Sequence, residues 1–405
     1  MLTSLLLSLC AHLKVTLHPT GWLELRLARP AKLNALSAPL VEKLCAEASR
    51  ATTDAAVAGV LLTAEPGRAF CAGGDVCQLA ARVASSSWLA AASPSAGAEV
   101  ATKFLSLEYS TDLALHALSS HKPVVALADG IAFGAGAGLL MASSLRVVTP
   151  RTVVSMPEAS LGIVADCGAL DFLTRHDALP LELGLVCALS GARLAGPAQL
   201  GGCGLATHAC ATAAELEQMR AALIARPPHE AGKLLSRNAL SCEGIEVASL
   251  GAACERAVAR AGRGGAAAHT FLDGLEQSLA AKARTAGGDD AHWLATAAAS
   301  LESGCPAAQL VALDGLRRMR AEKAEGRVER RALALGIELV ANALLAARRD
   351  FAEGVACAIG ERKGETPRWA HSDRRRAAGD TEVQEMRERV ARAQPLAVPH
   401  ALLLL

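Results

Sequence analysis

Apolar and polar positions alternate in "KVTLHP" and again in "WLELRLAR", with "TG" between them, and this predicts a hairpin of half-buried strands from Lys14 onward. The period then changes. "PAKLNALSAPLVEKLCAEASRA" opens as a proline-marked loop and passes into a helix with Ser37 at its N-cap. "VAGVLLTAE" reads as a short buried strand, and "GRAFCAGGDVCQLAARVA" as a glycine loop running into another helix. Residues Ser85 to Ala101, low in complexity and rich in Ala, Ser and Pro, read as a surface loop. Beyond a further helix, "KPVVALADG" is a buried strand bounded by proline and glycine, and "FGAGAGLLMASSLRVV" is glycine loop, helix and strand.

This repetition of strand, loop and helix predicts an α/β domain with several parallel or mixed strands. Past His208 the strand signal fades, and Ala, Leu, Glu and Arg recur at helical spacing, as in "AAQLVALDGLRRMRAEKAEG". The chain therefore divides into an apolar N-terminal segment (1–13), a core (14–210), a helical region (211–370) and a charged tail (371–405) that is helical but loosely held. The final "LLLL" has no evident role.

With 405 residues, 52% of them hydrophobic and 20% charged, the chain is long enough for one large or two ordinary domains and can bury a core. A formal charge of +1 gives no net attraction for nucleic acid or an anionic membrane, so neither is expected as a partner. The twelve cysteines are scattered through apolar runs rather than spaced as a disulfide framework, which points to a reducing compartment. Neither CxxC nor HExxH occurs, and no metal is expected. The opening "MLTSLLLSLCAH" lacks a basic residue ahead of its apolar run and is shorter than the ~20 residues of a membrane span. It makes a weak signal peptide, and it lacks the arginines of a mitochondrial transit peptide.

Two glycine loops stand at strand-to-helix junctions, "CAGGD" (Cys71 to Asp75) and "GAGAG" (Gly134 to Gly138). Neither fits GxGxxG, and neither carries the Lys-Ser/Thr of a phosphate-binding loop, so nucleotide binding is disfavoured. Such loops offer backbone N–H groups with little side-chain bulk in the way. Two of them converging would form an oxyanion hole, each donor being worth roughly 2.7–4 kcal/mol. The same glycines would serve equally for tight turns.

Two acids, Glu158 and Asp166, lie eight positions apart in the apolar stretch "VVSMPEASLGIVADCGAL". Glu158 leaves a predicted strand end at Met156-Pro157, where ligands bind in open α/β sheets, and it reads equally as a solvated turn residue or a general base. Asp166 precedes "CGALDFLTRH" and by itself reads as the cap of that helix.

Taken together, these motifs resemble the enoyl-CoA hydratase/isomerase (crotonase) superfamily, and within it the 3-hydroxyisobutyryl-CoA hydrolases. The matching pieces come in family order: "LARPAKLNALS", "GRAFCAGGDV", "LEY", "KPVVALADGIAFGAGAGL", "RVVTPRTVVSMPEASLGIVADCGALDFLTR", "LSGARLAGPAQLGGCGLATH" and "RRDFAEGVACAIGERKGETPRW". The last piece resembles the hydrolases' "DFxEGVRA" and "PxW", which the shorter hydratases lack.

The resemblance implies a crotonase (ClpP-like) spiral of ββα units with a helical C-terminal region, binding an acyl-CoA thioester with coenzyme A as part of the substrate and no other cofactor. It places the oxyanion donors at the backbone N–H groups of Gly74 and Ala135, the catalytic acids at Glu158 and Asp166, and a substrate-contacting glutamate at Glu108. The implied reaction converts 3-hydroxyisobutyryl-CoA to 3-hydroxyisobutyrate and CoA in valine breakdown, in mitochondria or alternatively the cytoplasm, by a monomer or a homo-oligomer. The rival is hydration or isomerisation of an enoyl-CoA. Hydration typically needs a second glutamate where this chain has Gly138. A third reading is a non-catalytic paralogue of the mitochondrial ribosome. The chain departs from the family at Ala135 ("FGAG" for "MGGG"), at "VADCGA" for "FPDVGG", and at Ala356, where an arginine is usual.

Overall fold

A computed structural model of the chain describes residues 12–89, 95–175, 180–240, 245–262, 267–323 and 326–397. The predicted hairpin is present: β1 (Leu13–Leu17) pairs antiparallel with β2 (Trp22–Leu27), Leu13 opposite Leu27. Only β1 is half-exposed. β2 is covered on its other edge by β3 (Gly59–Ala64) and buries Trp22, Leu23, Leu25 and Leu27, together with Glu24. That buried acid is neutralised by Arg220, whose Nη2 donates to it at 2.7 Å, with the Thr63 hydroxyl adding a bond at 2.8 Å.

From β3 through the eighth strand, successive strands alternate between two sheets. β3, β5 (Val124–Ala128) and β7 (Leu145–Val148) continue the first sheet, which reads β1-β2-β3-β5-β7-β10 with β10 at His208–Ala209. β4 (Ala69–Cys71), β6 (Ile131–Phe133), β8 (Val153–Ser155) and β9 (Leu194–Ala195) form the second. From β3 to β8, each turn of chain thus places one strand in each sheet before a helix or helical turn, the ββα spiral expected. Within the second sheet β4, β6 and β8 are parallel neighbours, so the loops that follow them emerge side by side, about 4.8 Å apart from strand to strand.

Helix α1 (Ala38–Thr53) begins after Ser37, which occupies the N-cap position without making a cap bond. The Gln78 side chain accepts from the Ala38 N–H instead, at 3.3 Å. The loop expected over Ser85 to Ala101 is mostly helix: α2 spans Val76–Leu89 and α3 spans Ser95–Leu118, with 90–94 outside the described residues. Alanine is the strongest helix former, and the start of α3 buries Ala101, Phe104 and Leu105, so low complexity here reflects helix rather than loop.

α4 (Ala135–Ala142) and α5 (Ala169–Phe172) complete the turns of the spiral, α4 following β6 and α5 following β8. Beyond β10 the described chain is helical. Two of its helices back the strand ends of the spiral: α14 (Arg327–Ala346) packs along α3, and α15 (Arg349–Ala358) packs on the segment after β8. The charged tail is firmly docked rather than loose. Its helices α16 (Arg374–Gly379) and α17 (Thr381–Ala391) bury Arg374, Ala377, Val383, Met386 and Val390. Arg374 reaches Asp273 and Glu276, each at 2.8 Å, and Arg318 caps the α17 C-terminus by donating to the carbonyls of Val390 and Ala393, each at 2.7 Å. Arg374 and Arg387 of this tail are thus engaged by ion pairs, and Asp373 and Asp380 by capping. The first eleven residues and the final "LLLL" lie outside the described residues.

Candidate active site

Three parallel strand ends deliver the two glycine loops and Glu158 to one place. After β4, Leu36 bridges to Gly74: the Leu36 N–H donates to the Gly73 carbonyl and the Asp75 N–H to the Leu36 carbonyl, each at 2.9 Å. The Gly74 N–H between them donates to no described residue. After β6, Ala135 is the first residue of α4, where an N–H has no intrahelical acceptor. The two loops abut, since a Cβ on Gly73 would lie 3.6 Å from the Ala135 nitrogen. Gly73 holds φ at +99°, a conformation that only glycine adopts freely.

Pro157 ends β8, and Glu158 starts a 3-10 turn (Glu158–Leu161). Its carboxylate is only 4% exposed, and its Oε2 has no hydrogen-bond partner among the described residues. Oε1 faces the second glycine loop, 2.8 Å from where a Cβ on Gly134 would stand. The first loop is flanked in the same way by Glu108 of α3. That Oε1 is also unpartnered and lies 2.8 Å from the Cβ position of Gly74. The wall behind Glu158 is the C-terminal "DFAEGVA" helix, α15, which approaches so closely that a Cβ on Gly354 would lie 2.6 Å from the Leu161 carbonyl carbon. Behind Ala135, a cavity of about 10 Å³, lined by Leu36, Leu44, Glu108, Asp112 and Leu139 among others, has room for one water-sized sphere.

Asp166 does not cap the helix that follows it. Glu338 of α14, 170 positions along the chain, does so, accepting from the Gly168 N–H at 2.8 Å and the Leu170 N–H at 2.9 Å. Asp166 is thereby free to turn inward, where its Oδ2 accepts from the Tyr109 hydroxyl at 2.7 Å and the Asn342 amide at 2.8 Å. The site therefore brings together all five residues the sequence singled out: Gly74, Ala135, Glu158, Asp166 and Glu108.

The electrostatics follow from crowding acids where water is scarce. Burial, then the neighbouring Asp166 charge, pushes Glu158 well above the usual carboxylate range, and Glu108 follows for the same reasons. Asp112, one helical turn after Glu108, is raised by burial against the opposing pull of Arg331. Burial also raises Asp166, to about 6, but the Tyr109 and Asn342 hydrogen bonds oppose the rise. Among the described residues no group of three or more His, Cys, Asp or Glu is arranged to hold a metal, and no helix is long and apolar enough to cross a membrane.

Sequence reasoning missed Tyr109, Asp112, Arg331, Glu338 and Asn342. A signal existed: Glu338 and Asn342 sit four apart on a helix otherwise apolar at that spacing, as do Glu108 and Asp112. What could not be read was which polar group each would meet.

One prediction concerns Glu338, whose carboxyl burial raises to about 8. A group raised on folding contributes stability that is complete below its unfolded pKa and is lost as pH climbs through the folded one. The window is therefore about pH 4.5 to 8. Glu338→Gln removes this dependence, so its melting temperature relative to the natural protein should climb between pH 5 and pH 9. Thermal melts across that range check it, and a constant or falling difference overturns it.

The model of the enoyl-CoA hydratase/isomerase family matches residues 23–386. Over 184 residues the chain is 39% identical to a probable 3-hydroxyisobutyryl-CoA hydrolase 3 of Arabidopsis thaliana, covering 45% of this chain and 44% of that protein. It is 33% identical over 186 residues to the small ribosomal subunit protein mS47 of Neurospora crassa, covering 46% and 34%. These matches span less than half of the curated relatives' lengths. Among solved structures, an enoyl-CoA hydratase from Rhodobacter sphaeroides superposes with a TM-score of 0.72 at 26% identity, covering 93% of this chain and 96% of that one.

Proposed function

The chain belongs to the enoyl-CoA hydratase/isomerase family, and from that premise we propose that it is a thioesterase that hydrolyses 3-hydroxyisobutyryl-CoA to 3-hydroxyisobutyrate and free CoA. The observation that carries this reading is the pairing of two unengaged N–H groups, at Gly74 and Ala135, with a buried carboxylate beside the second of them, Glu158, whose Oε2 has no partner among the described residues. A thioester oxygen seated between the two N–H groups gains its negative charge where donors already wait, which stabilises the tetrahedral intermediate. Glu158 then activates water as a general base or attacks the carbonyl to give a mixed anhydride that water opens. Its raised pKa makes the ionised carboxylate a stronger base. Asp166 contacts the acyl hydroxyl or orients the water, and Glu108 contacts the substrate beside Gly74.

The place of a hydratase's second glutamate supports hydrolysis over hydration. Gly138 stands there, and a Cβ on it would lie 2.4 Å from the Cβ of Cys167, so the packing has no room for a side chain. The hydrolase names of several curated relatives point the same way. A mitochondrial site in valine breakdown is part of the proposal. The likeness to mS47 favours one other reading, a non-catalytic ribosomal component.

The test is to incubate the protein with 3-hydroxyisobutyryl-CoA and titrate released thiol, with crotonyl-CoA in parallel. We expect thiol release at about 1–10³ per second at saturation and no hydration of the enoyl group. Hydration without thiol release establishes the hydratase. Coenzyme A binding without turnover, together with co-sedimentation with a ribosomal subunit, establishes the structural paralogue.

A further inference from the structure

Five carboxyl groups, Glu108, Asp112, Glu158, Asp166 and Glu338, are buried around the candidate site, each 5% exposed or less. Asp166 differs from the rest in receiving side-chain hydrogen bonds from two O–H or N–H donors on two helices, Tyr109 of α3 and Asn342 of α14. Both donors are fully buried. Asn342 also grips the backbone just ahead of Asp166: its Oδ1 accepts from the Val164 N–H at 2.8 Å and its Nδ2 donates to the Val164 carbonyl at 3.0 Å. The same Nδ2 lies 3.2 Å from the Tyr109 hydroxyl, so the amide, the hydroxyl and the Asp166 oxygen close a triangle of mutual contacts. Asn342 thus fixes both the loop that carries Asp166 and the direction in which its carboxylate points.

We propose that Asn342, acting with Tyr109, is a positioning residue that holds the negative charge of the buried cluster on Asp166 and thereby governs when Glu158 releases its proton. The physical reason is that two acids so close in a dry site do not ionise independently, and the one given donors ionises first. The titratable groups around Asp166, besides Tyr109, are Glu108 and Asp112 on α3, Glu158 on the 3-10 turn, the adjacent Cys167, and Glu338 on α14, with Arg331 acting on Asp112 and Glu338. Arg331 is already engaged by Asp171 at 3.0 Å, so it does not replace the Asn342 contact. The consequence for catalysis rests on the reading of Glu158 as the reacting carboxylate. The charge assignment itself does not.

Two variants separate the parts. Asn342→Leu removes the donor to Asp166 and the grip on Val164, whereas Tyr109→Phe removes only a donor and keeps the ring. In each, ¹³C-labelled Asp and Glu carboxyls are titrated by NMR, with Asp166→Asn and Glu158→Gln used for assignment. The Asp166 midpoint should rise by about one pH unit and the Glu158 midpoint should fall, because a neutral Asp166 no longer repels it. In step, the acidic limb of kcat/KM for thiol release should move to lower pH, which a merely structural loss would leave in place. Unmoved midpoints in a folded variant overturn the proposal. If Asn342→Leu fails to fold, Tyr109→Phe decides. If the natural protein releases no thiol, the functional reading fails, while the carboxyl titration still decides the charge assignment.

Discussion

Glu158→Gln is expected to reduce thiol release from 3-hydroxyisobutyryl-CoA by at least 10²–10⁴-fold, the range for loss of a positioned general base, and further if the carboxylate is the nucleophile. The substitution keeps the shape of the side chain and removes its charge. What makes the prediction sharp is the accompanying stability. Glu158 is 4% exposed, and its Oε2 has no partner among the described residues, so its ionised form is held at a net loss of solvation. A residue retained for structure shows the reverse profile, with bonds satisfied and a loss of stability on replacement. The glutamine variant should therefore melt at the same temperature as the natural protein or higher at pH 8, while losing turnover. Thiol titration and a melting curve on one preparation check both halves. Turnover within tenfold of the natural protein removes Glu158 from the chemistry, and a clear fall in melting temperature makes it a structural acid.

The parts of this site legible in the sequence are those built from short-range signals. "CAGGD", "GAGAG" and "MPE" each declare a strand end through glycine or proline, and the alternation of buried strands locates those ends. Their convergence follows because β4, β6 and β8 are parallel neighbours; the strand, loop and helix repetition predicts only parallel or mixed strands, and the ββα spiral is what the resemblance implies. Asp166 was misread for a physical reason: capping is a local rule, but here the α5 N–H groups are taken by Glu338 from 170 positions away. The resemblance to a hydrolase, not the residues around it, gave Asp166 its place among the acids. Asn342 and Arg331 stayed hidden because a polar residue in an apolar helix announces burial without naming its partner. The charged tail misled in the opposite sense: its Arg374 and Arg387 are taken by carboxylates on α11 (Ala268–Ala283) and α13 (Pro306–Ala321), while Arg318 of α13 donates to carbonyls of the tail itself.

Arg331→Met is expected to have the largest effect on stability, about 3–5 kcal/mol, the usual consequence of breaking a buried ion pair from one side. Arg331 is 0% exposed on α14. Its Nε lies 3.0 Å from Asp171 Oδ2 but off the hydrogen-bond axis, so that contact is an ion pair. Its bonds go to the backbone: Nη1 donates to the Gly168 carbonyl at 2.9 Å, with longer contacts at 3.4 Å to the carbonyls of Cys167 and Met141. Methionine fills much of the volume but leaves Asp171 with only Arg330, at 3.1 Å, and leaves those carbonyls without this donor. Arg331 also opposes the rise of Asp112 and Glu338, so removing it lifts both acids further from their unfolded values. For raised acids the stability present at low pH is lost as pH climbs, so the deficit of the variant should be smaller near pH 5 and grow toward pH 9. Urea unfolding of both proteins at pH 5, 7 and 9 measures this, with Arg331→Lys expected to fall between them because it keeps the charge and loses the fork. A deficit that does not change with pH assigns Arg331 to backbone bonding alone. A variant as stable as the natural protein would mean that an apolar side chain satisfies this position and that the buried acids hold their protons without it.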